Sequence, residues 1–504
     1  MSKASKALLL LASLGLGCDP KSEPQPPPVE DKSFRVRSVQ YFHTASGVEE
    51  RPADFSTDPM KLFVLADGNF IARPGARTSA EEYAFADVPD GTYYLKWGNS
   101  YVVTSARRVD RSSHWLGRAD AQELPESTFP VRVRLDINGL EPWAEDVQSL
   151  WGNMQLVSGE LDVAGSINAD EVMQPQSTSV RGAVVSFNIH SNLLPFRFEQ
   201  ARGDRAWVNQ LVPRVAGKLA DGSSLRYATL ARSLHLAPFS FDGSQPLSVS
   251  GTFQALPQKP LSLSWALSSF APHAADVHPA ARLDGATFSL VAAAHGVEDA
   301  GWVGFSGELL SFVLPADYAT DVRDTLVYGN PFPSTWGEVA WFDAPFAVNY
   351  PIPGTESLVT VYASMEVYER VSSLAAGPIQ PLILPPRGLR LDGEDTFPAR
   401  PVTLGSHVIS WQPPASGQVS AYRLMLRRYV VDGDSARFVD RVSFTLGGQS
   451  TSMRLPPDVL KPASHYVVQL AAISAPGYSA ENTGALYHLP KGQAETLSGL
   501  LSTP

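Results

Sequence analysis

The sequence predicts an all-β protein made of several β-sandwich domains in tandem, with little helix. Three observations lead there. Apolar and polar residues alternate with period two. In Val131-Arg-Val133-Arg-Leu135-Asp-Ile137 every odd residue is apolar, and Leu261-Ser-Leu263-Ser-Trp265-Ala-Leu267 repeats the design with serine outside, as half-buried strands require. Turn pairs fall between such runs: Asp67-Gly68, Asp90-Gly91, Asp221-Gly222, Asp242-Gly243, Asp392-Gly393 and Asp432-Gly433. Finally, 41 prolines and 38 glycines in 504 residues leave little room for long helices, and 316–327 is the one short helix candidate.

Taken in chain order, the first element is a leader over 1–17. Lys3 and Lys6 precede an apolar run over 7–16. That run is half of the roughly 20 residues a membrane span needs, so it reads as a cleaved signal. Gly15-Leu16-Gly17-Cys18 resembles the lipobox of bacterial lipoproteins, although the family more often has Leu and a small residue where this chain has Gly15 and Leu16. The resemblance implies cleavage before Cys18 and acylation of its thiol and amine. Two or more acyl chains anchor a protein stably. An ordinary secretory leader is the rival reading. Asp19 resembles the inner-membrane retention signal of enteric lipoproteins, a rule that varies between bacterial groups, so the choice of inner or outer membrane stays open.

Behind Cys18, residues 19–33 are dense in proline and charge with no apolar periodicity. They read as a tether, about 45 Å long at about 3.1 Å per residue in polyproline II form.

Residues 34–125 form the first predicted sandwich. Phe85-Ala-Asp87-Val88-Pro89-Asp90-Gly91-Thr92-Tyr93-Tyr94-Leu95 places a turn at Pro89 to Gly91, with Tyr93 and Leu95 on one side of the next strand. The segment resembles the F-x-x-V-P-x-G-x-Y-x-L signature of transthyretin-like or carboxypeptidase-regulatory-like domains. That implies a structural or adhesive module without catalysis of its own.

The central region, 126–378, reads as one large or two smaller β domains and resembles no family. It holds seven of the ten tryptophans.

Residues 379–490 carry the sharpest pattern. Val408-Ile409-Ser410-Trp411-Gln412-Pro413-Pro414, Ala421-Tyr422-Arg423-Leu424-Met425-Leu426, and Leu460-Lys-Pro462-Ala-Ser464-His-Tyr466-Val467-Val468 resemble strands B, C and F of a fibronectin type III domain. The resemblance implies that Trp411 is the core tryptophan and that Tyr466 makes the tyrosine corner, its hydroxyl bonding backbone upstream. The family pattern is departed from over 429–448, which suggests an extended hairpin between strands C and E. Residues 491–504 are expected as a tail.

Composition bounds the chemistry. With 51 acidic and 40 basic residues the net charge is −11, so neither nucleic acid nor an anionic lipid surface is a natural partner for the body of the protein. Cys18 is the only cysteine, which excludes intrachain disulfides and, once it is acylated, thiolate metal sites and a cysteine nucleophile. H-E-x-x-H, a Walker loop and a Rossmann fingerprint are absent. The nearest approach to a serine elbow, Gly304-Phe-Ser306-Gly307, has the wrong spacing. His273, Asp276 and His278 are the closest approach to a metal cluster, but their segment reads as a flexible loop of solvated side chains. The 392–395 and 432–434 carboxylates could ligate calcium, yet lack the alternating ladder of an EF-hand and read as hairpin turns.

No catalytic residue, cofactor or metal is therefore assigned. The aromatic run Trp336, Trp341, Phe342, Phe346 and Tyr350 reads first as core packing. If a binding surface exists centrally, Trp336, Trp341 and Tyr350 are its candidates.

The reading is a non-catalytic envelope lipoprotein acting in adhesion, scaffolding or surface assembly. Its partners would be the membrane through Cys18, and envelope proteins or glycans. The alternative is a glycan-binding or carbohydrate-active protein with its site in the central region, marked by paired carboxylates beside exposed tryptophans.

Overall fold

The computed structural model describes residues 31–55, 59–144, 147, 149, 152–189, 197–218, 222–295, 301–316, 318–433 and 435–504. The leader, Cys18 and the tether up to residue 30 lie outside the described residues, as does Asp221. Strand holds 53% of the chain and helix 7%, which makes the fold all-β.

In the N-terminal unit, Phe34–Arg37 pairs antiparallel with Glu82–Phe85 and parallel with Arg108–Asp110. A second sheet joins Asn69–Arg73, Lys61–Ala66, Thr92–Trp97 and Ser100–Thr104. Between the sheets Phe34, Phe85, Val88, Tyr93 and Leu95 are buried, and the Tyr93 hydroxyl donates to the Pro89 carbonyl at 3.1 Å. Phe85, Val88, Tyr93 and Leu95 of the 85–95 segment thus belong to this core, while Pro89 and Gly91 are exposed in the turn. Asp67 and Gly68, at φ 49° and 78°, close a two-residue hairpin of the kind that needs positive φ at both positions.

The central region holds two large cores, with a small separate cluster of Val291, Ala293 and Val339 against Leu489. One gathers Val133, Leu135, Ile137, Trp143, Leu156, Val185 and Val249. The other gathers Leu261, Leu263, Trp265, Phe288, Phe312, Phe342 and Phe346 and runs on without a break into the C-terminal unit. The alternation read from sequence is realised in both, since Val131, Val133, Leu135 and Ile137, and Leu261, Leu263, Trp265 and Leu267, are buried.

The helix expected over 316–327 is not formed among the described residues. Val322–Gly329 is a strand paired antiparallel with Gln258–Trp265. Val322, Leu326 and Tyr328 turn to the core, and the β-branched Val322, Thr325 and Val327 favour the extended form once a partner strand is present. The 271–278 segment, expected as a loop, is a 3₁₀ turn followed by one α turn, Ala274–Val277. Burial of Val277 pins it.

The C-terminal sandwich sets Arg387–Leu391, Val408–Gln412 and Ser452–Arg454 against a sheet of Ser435–Gly447, Ala421–Asp432, His465–Ser474 and Lys491–Leu497. Trp411 and Tyr422 are buried edge to face, 5.2 Å between ring centroids. The Tyr466 hydroxyl accepts the Lys461 N–H at 2.7 Å, which is the tyrosine corner. The extended hairpin is present as Ala421–Asp432 with Ser435–Gly447.

One expectation changes here. Residues 491–504 are no tail, because Lys491–Leu497 is the closing strand of this sheet and Leu501–Ser502 pairs with Arg400–Pro401 and with His465 and Tyr466. Gln493, Glu495 and Thr496 interrupt the apolar pattern and hide the strand from a periodicity reading.

Both edges of that sheet are occupied. Ser100–Thr104 of the N-terminal sandwich pairs parallel with the hairpin at Ser443 to Leu446. Leu358–Arg370 of the central region pairs antiparallel with Lys491–Leu497. A single sheet therefore passes from the N-terminal unit through the C-terminal one into the central one.

Candidate functional site

The seam between Leu358–Arg370 and Lys491–Leu497 collects ionisable side chains on the sheet face opposite the core. Register puts Asp343 opposite Glu366, Glu366 opposite Gln493, and Tyr368 opposite Lys491. Alternation then aims their side chains to one face.

Glu495 is 5% exposed. It accepts hydrogen bonds from the Ser364 N–H (3.0 Å), Gln469 Nε2 (2.6 Å) and Gln493 Nε2 (3.0 Å). Arg423 Nη2 donates to Gln493 Oε1 at 2.9 Å. Burial, with the Glu366 and Glu495 carboxylates nearby, pushes the Asp343 carboxyl up to about 8. Burial raises Glu366 against the opposing pull of Lys491 and Arg423, and raises Glu495 with Glu366 adding to it. Three neighbouring carboxyls therefore hold protons more tightly than free ones.

Beside them lies a cavity of about 190 Å³ walled by Trp302, Phe305, Tyr368, Tyr487, Leu489 and Lys491. Tyr368 is enclosed by rings and charge. Trp341 stacks on it at 5.9 Å and 8°, Trp302 approaches to 5.5 Å, and the Lys491 ammonium sits 4.3 Å from its centroid.

The three aromatic candidates separate. Trp336 is buried, stacked on Phe332 at 4.6 Å and edge-on to Trp207 at 5.2 Å. Tyr350 is buried and donates to the Ser498 carbonyl at 2.5 Å. Neither offers a ring face to a ligand, since each turns to the core side of its sheet or loop. Trp341 alone is half-buried on the opposite face, beside the carboxyls.

The histidine segment does not converge. His273 pairs with Asp276 at 3.0 Å, whereas His278 accepts the Ala280 N–H at 3.0 Å and packs edge-on to Phe397. No group of three metal-binding side chains occurs among the described residues. In the 392–395 turn, Asp392 is engaged by His407 Nδ1 at 2.6 Å and the Val408 N–H at 2.8 Å. The side chains of Asp432 and Asp434 lie outside the described residues.

A histidine pair missed in the sequence marks the contact between the N-terminal and central units. His43 Nε2 lies 2.8 Å from His114 Nδ1, so one ring nitrogen donates and the other accepts. Burial and the neighbouring His43 lower His114 to about 4, and burial lowers His295 beside them to about 4. Burial alone raises Asp162 to about 7. The pair joins residues 71 positions apart and leaves no spacing signal. Asp343 did leave one, as a carboxylate inside the apolar run Val339-Ala-Trp-Phe-Asp343-Ala-Pro-Phe346.

These features define a multi-sandwich all-β chain whose last module has a core tryptophan and a tyrosine corner. Residues 396–486 match the fibronectin type III domain model. The first and last strands of that sandwich, Arg387–Leu391 and Lys491–Leu497, lie outside the matched segment.

No curated protein matches the chain. Among solved structures, a two fibronectin type III domain segment of chicken tenascin is similar at 15% identity, covering 45% of this chain and 88% of that one, with a TM-score of 0.16. The FN1–FN3 domains of chicken CNTN1 are similar at 7% identity, covering 90% and 94%, with a TM-score of 0.14. At these values neither lends weight to a functional parallel.

Proposed function

We propose that the chain is a non-catalytic lipoprotein of the bacterial cell envelope, acting in adhesion, scaffolding or surface assembly through its sandwich modules. Cys18 would carry the acyl chains, and 19–33 would hold the modules clear of the lipid headgroups. The observation that supports this reading is the closure of both edges of the fibronectin type III sheet by neighbouring units. Modules joined by strand pairing resist bending at their joints far better than modules on flexible linkers. Such a body transmits position and load, as a scaffold needs.

The anchor is tested by Cys18→Ala or globomycin treatment followed by fractionation. Loss of lipoprotein processing and release from membranes is expected; unchanged processing and membrane association would refute the anchor. The scaffold role is tested by cross-linked pull-down from envelope extract, with a glycan array alongside.

The second reading, glycan binding or carbohydrate chemistry, has one observation in its favour: Asp343 and Glu366 face each other beside Trp341 and Tyr368. Stacking of those two rings on each other, with Lys491 over Tyr368, counts against a free sugar platform. A specific glycan on the array, lost in Asp343→Asn, would establish this reading over the first.

A further inference from the structure

The long hairpin of the fibronectin type III domain carries two cations where a sheet does not favour them. Register sets Arg427 directly opposite Arg441, and like charges directly opposite destabilise a strand pair. Both side chains wall a cavity of about 440 Å³ completed by Met425, Phe438, Val439 and Gln469, with no described carboxylate in the wall.

Arg427 is half-buried and held in place. Its guanidinium lies 4.0 Å from the centroid of the Phe438 ring, and Nη1 donates to Gln469 Oε1 at 3.3 Å. Gln469 Nε2 in turn donates to Glu495 Oε2 at 2.6 Å, which fixes the amide orientation. Burial lowers the Arg427 pKa and the Arg441 charge lowers it further, against the attraction of Glu495. In a chain of net charge −11, a held Arg427 with an exposed Arg441 opposite it in register offers two cations to an anion at one cavity.

We propose that this cavity binds a phosphomonoester, its phosphate between Arg427 and Arg441 and its organic part against Phe438, Met425 and Val439. Charge selects the ligand class. A phosphomonoester carries about −1.5 to −2 at neutral pH, which two guanidinium groups match, whereas one carboxylate leaves an arginine uncompensated. The planar guanidinium fork also fits phosphate oxygens two at a time. The apolar half of the wall has no role toward free phosphate and suits an attached sugar or lipid. The cavity borders the part of the hairpin that runs past the Ser443 to Leu446 pairing with the N-terminal sandwich, so that seam leaves it open.

The test uses the whole chain at constant ionic strength. Thermal melts are recorded with inorganic phosphate and with glucose 6-phosphate against glucose, and flotation is measured with vesicles of phosphatidic acid against phosphatidylcholine. Wild-type protein is expected to melt higher with phosphate, and to gain at least tenfold in affinity from one of the two esters. A gain with glucose 6-phosphate identifies a soluble sugar phosphate, and selective flotation with phosphatidic acid identifies a lipid headgroup.

Arg441→Gln is expected to weaken binding at least tenfold while melting, without ligand, at or above the wild-type temperature, because the opposed charges are gone. Arg427→Gln should lose binding similarly. The proposal is overturned if neither ester binds better than inorganic phosphate, if Arg441→Gln binds as wild type, or if Arg441→Gln lowers the ligand-free melting temperature by several degrees, which would make Arg441 a structural partner.

Discussion

The fibronectin type III sheet is sealed at both edges, but with opposite chemistry. At the N-terminal seam Tyr101 stacks on Phe444 at 4.7 Å and 18°, and Ser100 and Ser443 share a hydroxyl hydrogen bond at 3.0 Å. The Tyr94 hydroxyl there donates to the Arg454 carbonyl at 3.0 Å and accepts the Arg454 N–H at 3.2 Å. At the central seam Asp343, Glu366, Glu495 and Lys491 share one face. The same backbone device thus joins one pair of modules mainly with rings and hydroxyls, with a single long ion pair, Lys96–Asp458 at 4.0 Å, at its margin, and the other with a cluster of ionisable groups. The first joint should ignore pH over the neutral range, because its one ion pair has no group that titrates there, and the second should answer to pH.

The largest expected effect comes from breaking the neutral joint. Phe444 is fully buried, and Phe444→Ala is expected to destabilise by about 4 kcal/mol in urea unfolding, by the same amount at pH 5.5 and pH 8.5. A loss that changes with pH would show that the seams are coupled.

Asp343→Asn tests the charged joint. Its folded-state pKa is raised to about 8, so the stability tied to its proton is fully present below the unfolded value near 3.8 and is lost as pH rises toward and through 8. Wild-type stability should fall across that window, and Asp343→Asn should be more stable than wild type at pH 8.5 by about 2 kcal/mol, a figure kept small for partial exposure. Equal stabilities at pH 8.5 would show that the carboxyl carries no such burden.

The smallest effect is expected from Tyr94→Phe. Removing one hydroxyl strips two hydrogen bonds from the Arg454 backbone, and a loss of about 1–2 kcal/mol independent of pH is expected in the same measurement. Dependence on pH would place Tyr94 within the ionisable system.

The two seams also differ from the module interiors in how they are written in sequence. Val131 to Ile137, Trp411 and Tyr466 were legible because alternation, a strand tryptophan and a corner tyrosine are local signals. The pairing of Ser100–Thr104 with the hairpin, and of Leu358–Arg370 with Lys491–Leu497, is set by which edges meet in space, and no local pattern encodes it. For the same reason Asp343 could be read as a strand residue but not as the neighbour of Glu366 and Glu495. Trp336, Trp341 and Tyr350 look alike in sequence, since Trp336 lies before the strand and only register separates Trp341 from Tyr350. Over 316–327, weak helical spacing yielded to a partner strand, Gln258–Trp265, that lies directly alongside in space but 57 to 71 residues back in the chain.

Ser100 and Ser443 are 343 positions apart, and that separation bears on how the chain reaches its final form. During synthesis the N-terminal sandwich is made first, and Ser100–Thr104 stays an unpaired edge until the hairpin arrives. Contacts of such long range slow folding, and a bare edge in the meantime invites pairing with another chain. Completion of the first module thus waits on the last, and a chain truncated before residue 443 should aggregate through the strand that the finished protein conceals.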